Sequence, residues 1–151
     1  MLVRVAEESF EKGLAALDQG KADHALAFFE AAVELDRKFG NQSPQPRYLS
    51  QYGVCLGLLG RRREEAVRFC REAVELEGYN ADLQWNLGRA LLAAERRSEA
   101  YAAFIKGLRL QRDHRGIILD LKKMGIRRKP PLPFLDRSNP LNIWLGLRRG
   151  D

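Results

Sequence analysis

A pattern that recurs three times along 151 residues constrains this chain more than any other feature. The first copy runs Phe10-Glu-Lys-Gly13, then Gly20, Ala25, Phe29, Ala32 and Leu35-Asp36. The second runs Tyr52-Gly53, Gly60, Ala66, Cys70, Ala73 and Leu76-Glu77. The third runs Trp85-Asn-Leu-Gly88, Ala100, Phe104, Gly107 and Leu110. Aligned on Ala25, Ala66 and Ala100, the copies lie 41 and 34 residues apart. Repetition at such a period marks an array of similar units that bury their apolar faces on one another. Within each copy the helical period appears twice, broken by glycine or polar residues, which predicts a pair of antiparallel helices.

This pattern resembles the tetratricopeptide repeat, a helix–turn–helix unit of about 34 residues. Trp85-Asn-Leu-Gly-Arg-Ala-Leu-Leu92 carries the resemblance most fully. The resemblance implies an all-α fold: a right-handed superhelical stack of three such repeats with a C-terminal capping helix. Gly13, Gly53 and Gly88, with Ala25, Ala66 and Ala100, would stand where the first helix (A) and second helix (B) of a repeat touch. Phe29, Cys70 and Phe104 would fill the layer between successive helices. The repeats are expected at about 6–38, 46–79 and 81–113, with a capping helix over 114–124, making one domain of residues 1–125. Two departures stand out. The closing proline of each repeat is replaced by Arg37, Gly78 and Arg112, and the loop-forming insert Phe39–Pro46 separates the first two copies. The turn Gly60-Arg-Arg-Arg63 is also one residue longer. These features predict a 1–2 junction that is looser or more sharply angled than the 2–3 junction. Glu7-Glu8 and Glu64-Glu65 are read as helix starts that complement the dipole. In the capping helix, Asp113 is the expected start and Gly125 the expected stop.

Net charge divides the chain. Residues 1–114 hold 17 basic and 17 acidic residues, while residues 115–151 hold nine basic residues against three acids, which is the whole of the +6. A neutral body thus precedes a basic tail. In that tail, 126–151, Pro130, Pro131 and Pro133 forbid a helix and favour an extended run. Ser138-Asn-Pro140 then predicts a short helix over about 140–147. Leu132, Phe134, Leu135, Leu141, Ile143, Trp144, Leu145 and Leu147 make the tail too apolar for a solvated one. It is expected to dock.

The resemblance implies that helix A of each repeat lines a concave groove. Its positions here are Phe10, Leu14 and Leu17, then Arg47, Ser50, Val54 and Leu58, then Trp85, Arg89 and Leu92, with Glu7 and Asp82 near the ends. An apolar channel of that size is a binding site or a liability. Either a partner's peptide occupies it, or the chain's own Leu132-Pro-Phe-Leu135 or Trp144 does. Tethering gives the tail an effective concentration on the order of millimolar, so it is expected to pack on its own repeats, or on a second copy, and to limit access. Some members of the family clamp a partner's C-terminal carboxylate with Lys and Asn. The corresponding places here carry Phe10, Leu14, Gln51, Asp82 and Asn86, which disfavours that activity.

Catalytic chemistry has no evident apparatus. His24 and His114 are isolated, Cys55 and Cys70 read as buried small hydrophobes without the CxxC spacing of zinc, and the glycines do not form a phosphate-cradling loop. No enzyme activity, metal or cofactor is expected. Two cysteines cannot staple a core this size, and no run of about 18 apolar residues could span a bilayer. The opening Met1–Glu8 lacks the blocks of a secretory signal, so a cytoplasmic location is expected. Arg outnumbers Lys 19 to 7, a bias of GC-rich and typically bacterial genomes. The leading reading is a scaffold that binds another protein or peptide. One alternative is nucleic-acid or anionic-surface binding through Arg127, Arg128, Lys129 and Arg137, disfavoured by sparse aromatics and the prolines. Another is a secretion-type chaperone for an apolar client, a class that lacks such a tail.

Overall fold

The computed structural model describes residues 2–40 and 43–125, and the tail calls, including its docking and its short helix, lie outside the described residues. Seven helices run through the described residues: α1 (Leu2–Asp18), α2 (Ala22–Phe39), α3 (Pro46–Leu58), α4 (Arg63–Leu76), α5 (Ala81–Ala93), α6 (Arg97–Leu110) and α7 (Arg115–Met124). They pair as α1–α2, α3–α4 and α5–α6, with α3 packed along α5 and α7 closing the stack on α6.

Small residues set the pairing. A methyl built on Gly13 would stand 2.5 Å from the Phe29 ring, and one on Gly88 would stand 2.2 Å from the Phe104 ring. On Gly53 it would meet the Ala66 carbonyl oxygen and Cys70 Sγ at 2.7 Å. Ala25, Ala66, Ala100, Phe29, Cys70 and Phe104 are all fully buried. The same contact is thus built three times, with one partner reduced to a hydrogen so that the other can be a large ring or a backbone carbonyl.

The turns between paired helices share one device. Gly20, Gly60 and Glu95 occupy equivalent places with φ of 72°, 65° and 63°. In each, the following amide reaches back to close the preceding helix (Lys21 to Ala16, Arg61 to Leu56, Arg96 to Leu91). At this place only the third repeat has a side-chain-bearing residue, Glu95, in the left-handed form. The extra residue of the second turn is absorbed by Arg62 at φ 45°, whose guanidinium donates to Tyr52 Oη at 2.8 Å and pairs with Glu65 at 3.2 Å.

The two junctions are built differently. Between α3 and α5 the backbones approach closely, since a methyl on Gly57 would lie 3.2 Å from Ala93 Cβ. Between α1 and α3 large groups intervene, with the rings of Phe10 and Tyr48 centred 4.8 Å apart. The insert is tied down by Asp36. This buried carboxylate accepts from the Gln45 amide at 2.5 Å, just before Pro46 opens α3.

Two helix-start readings are corrected. α1 begins at Leu2, so Glu7 and Glu8 lie beyond its first turn, and Glu7 serves α3 instead. His114, not Asp113, caps α7, its Nδ1 accepting from the Ile117 amide at 3.2 Å. Asp113 is exposed. Imidazole wins because its Nε2 faces Asp82 Oδ1 at 2.8 Å, so one ring satisfies the cap and joins α7 to α5. Glu64 and Glu65 do open α4, and Gly125 ends α7 at φ 59°. The arginine turn is matched by acids of other repeats, Arg61 with Asp23 at 3.2 Å and Arg63 with Glu95 at 3.1 Å. These pairs are exposed and contribute little stability each.

Candidate functional site

The ten predicted groove residues lie on α1, α3 and α5 and fall into three states of exposure. Phe10, Ser50 and Val54 are buried, Leu14, Leu17, Trp85, Arg89 and Leu92 are half-buried, and Arg47 and Leu58 are exposed. Burial takes the first three out of the accessible surface, and for Phe10 and Ser50 the contacts that do so are specific. Phe10 is wedged between Phe29 and Tyr48, with ring centroids 5.6 and 4.8 Å away. Ser50 Oγ accepts from Asn86 Nδ2 at 2.7 Å, a bond that joins α3 to α5. What stays open is a row of leucines toward the C-terminal ends of the same helices: Leu14 and Leu17 on α1, Leu58 on α3 (57% exposed), and Leu92 on α5.

The N-terminal half of this face is ionic and self-paired. Arg47 contacts Glu7, and its guanidinium lies over the rings of Phe10 and Tyr48 at 5.2 and 5.1 Å. Tyr48 Oη donates to the same Glu7 carboxylate at 2.5 Å. Burial, then that hydrogen bond, pushes the Tyr48 phenol well above its ordinary value. Of the carboxylate-clamp positions, Asn86 is buried against Ser50 and Asp82 faces His114.

Trp85 is more engaged than a free anchor. Its Nε1 donates to Asp120 on α7 at 2.7 Å, and its ring stands 5.2 Å from His114. A methyl on Gly116 would sit 2.5 Å from the indole. Trp85 therefore latches the capping helix, and the guanidinium of Arg89 lies over the indole face at 4.9 Å. Arg89 has no hydrogen-bond acceptor among the described residues. Burial lowers its hold on the proton while Asp120 opposes that effect, and an arginine stays charged throughout. Sequence reasoning missed Asp120 as a member of this cluster. Its signal was the spacing Gly116–Asp120, a small residue and an acid one turn apart on α7.

A shallow cleft of about 530 Å³ lies where α5 meets the end of α7, lined by Leu92, Glu95, Arg97, Asp120, Lys123 and Met124. Arg97 Nη2 donates to the Met124 carbonyl at 2.5 Å, fixing the end of α7 beside this cleft. The basic-tail residues Arg127, Arg128, Lys129 and Arg137 lie outside the described residues. Cys55 and Cys70 are buried and free, and desolvation pushes their thiols up to about 11 and about 12. Among the described residues no group of three or more His, Cys, Asp or Glu is placed to hold a metal ion. No described helix is long and apolar enough to cross a membrane.

Comparison places this geometry among known folds. The tetratricopeptide-repeat model matches residues 8–39. The TPR domain of Arabidopsis OM64 superposes with a TM-score of 0.68 at 21% identity, covering 82% of this chain and 97% of that one. The first TPR domain of human RPAP3 gives 0.67 at 21%, covering 81% and 91%. YrrB, described as a TPR protein with an unusual peptide-binding site, gives 0.63 at 24%, covering 78% and 57%. No curated protein matches the sequence significantly.

Proposed function

From the premise that this chain has the tetratricopeptide-repeat fold, we propose that it is a non-catalytic interaction module whose concave face holds an extended segment of another protein. The observation that carries this reading is the leucine row Leu14, Leu17, Leu58 and Leu92 across three successive repeats. Apolar anchors spaced along a groove are how such surfaces gain affinity. Two proteins of the same fold support it: YrrB by its peptide-binding site, and the first TPR of Spaghetti (RPAP3), solved with the HSP90 peptide SRMEEVD. The tail 126–151, with its apolar and basic residues, acts as a tethered competitor for the same face.

Site-specific photo-crosslinking tests the reading. A photoreactive side chain at Leu58 captures a partner polypeptide, whereas one at Tyr79, 93% exposed in the α4–α5 turn, does not. Equal capture at both positions, or capture at Tyr79 alone, refutes the concave face as the binding surface.

A further inference from the structure

Hydrogen-bond accounting on the concave face leaves one charged group over. Of the four charged groove residues, Glu7 and Arg47 pair with each other, and Asp82 faces His114. Asp120, on the neighbouring α7, accepts from Trp85 Nε1 and lies 3.7 Å from Lys123 Nζ. Arg89 alone has no hydrogen-bond acceptor among the described residues, although it is half-buried and desolvated. Leaving a desolvated guanidinium without an acceptor is costly.

The group is also held in place. Asp120 and His114 fix Trp85, and the indole face supports the guanidinium at 4.9 Å. With its Cζ over the indole ring and no acceptor among the described residues, the guanidinium has N–H groups to offer, and a guanidinium grips a carboxylate with two parallel hydrogen bonds. Leu92 lies one turn further along α5, on the same side of the helix. Ordering cost is low because the fork is preorganised.

We infer that Arg89 is the specificity-determining residue of the groove, and that the partner segment carries an Asp or Glu carboxylate next to a Leu- or Phe-sized side chain. The carboxylate pairs with Arg89, and the apolar neighbour seats against Leu92. This rests on the concave face being a peptide site. It uses a single arginine of the third repeat, held over Trp85, unlike the Lys and Asn clamp whose positions here carry Phe10, Leu14, Gln51, Asp82 and Asn86.

The test uses the full chain and a displayed library of random heptapeptides, followed by fluorescence anisotropy on the enriched peptides. The expected result is an acid fixed beside a large apolar residue. Changing that acid to its amide weakens binding about tenfold on the wild-type chain and has little effect on Arg89→Gln. Arg89→Lys keeps part of the preference. The acid-to-amide comparison on the wild-type chain needs no variant, so it stands even if Arg89→Gln folds poorly. Enriched peptides with no acidic preference overturn the role of Arg89 while leaving the groove intact. No enrichment over an unrelated protein overturns the groove reading and this one with it. An acidic preference that emerges only in the Asp136→Asn chain assigns Arg89 to the tail's own carboxylate and overturns the assignment to a partner.

Discussion

Gly88→Ala is predicted to destabilise the chain even though alanine is the better helix former. The added methyl would lie 2.2 and 2.5 Å from Cε1 and Cδ1 of Phe104. Phe104 is fully buried, so its ring cannot turn away without displacing further core. Overpacking of this kind costs about 1–3 kcal/mol, and the overlap here argues for the upper part of that range. Replacing a mid-helix glycine returns about 1 kcal/mol of helix propensity. The net loss is about 1–2 kcal/mol, a fall in Tm of roughly 3–8 °C for a chain this size. Phe104→Leu removes the ring edge and is itself destabilising through the cavity it leaves. In that background Gly88→Ala meets no ring, keeps its propensity gain, and becomes neutral or stabilising by up to about 1 kcal/mol. Urea unfolding of the four chains, followed by far-UV circular dichroism, measures the coupling directly. A coupling near 2 kcal/mol lies well outside the roughly 0.5 kcal/mol within which independent sites add. Additive effects, or a stabilising Gly88→Ala in the wild-type chain, refute the claim that this glycine exists to admit the ring.

Other consequences follow from the same geometry. Glu95→Gly relieves a side chain held at φ 63°, where the first two repeats use glycine. It should raise stability by about 1 kcal/mol, since the exposed pair with Arg63 that it removes is worth little; an unchanged urea midpoint contradicts this. His114→Ala removes both the α7 cap and the contact with Asp82, at a cost of about 1–2 kcal/mol, with amide exchange rising first in 115–124. Exchange that rises evenly across the chain shows that the cap is not the weak point. Alkali should weaken the fold through its buried thiols. The folded values of Cys55 and Cys70 are raised, to about 11 and about 12, so their contribution is complete below pH 9 and is lost as pH rises through the folded values. Unfolding midpoints taken upward from pH 9 should decline less steeply in Cys55→Ala, and an identical slope removes the thiol from the explanation.

The helix pairs were legible because their contacts are local and repeated. Gly13 with Phe29, Gly53 with Cys70 and Gly88 with Phe104 lie 16, 17 and 16 residues apart, the extra residue being that of the longer second turn, and periodicity reports such contacts directly. Contacts between units were less legible. Glu7 looked like a helix start until α1 proved to begin at Leu2 and Glu7 to engage Arg47 and Tyr48 of the next repeat. Phe10, Ser50 and Val54 have the register of groove residues, yet they are buried. Helical period fixes which face a residue is on, but not what the neighbouring helix covers. Trp85 shows the same limit: its indole N–H is taken by Asp120, 35 residues further along the chain.

Leucine methyl spectra of the full chain, recorded with and without an enriched acidic–apolar heptapeptide, test the central claim most directly. Binding in the concave face shifts the methyls of Leu14, Leu17, Leu58 and Leu92 and leaves Leu26, Leu35 and Leu110 of the α2 and α6 helices in place. Shifts confined to the latter set, with the first four unmoved, contradict the account.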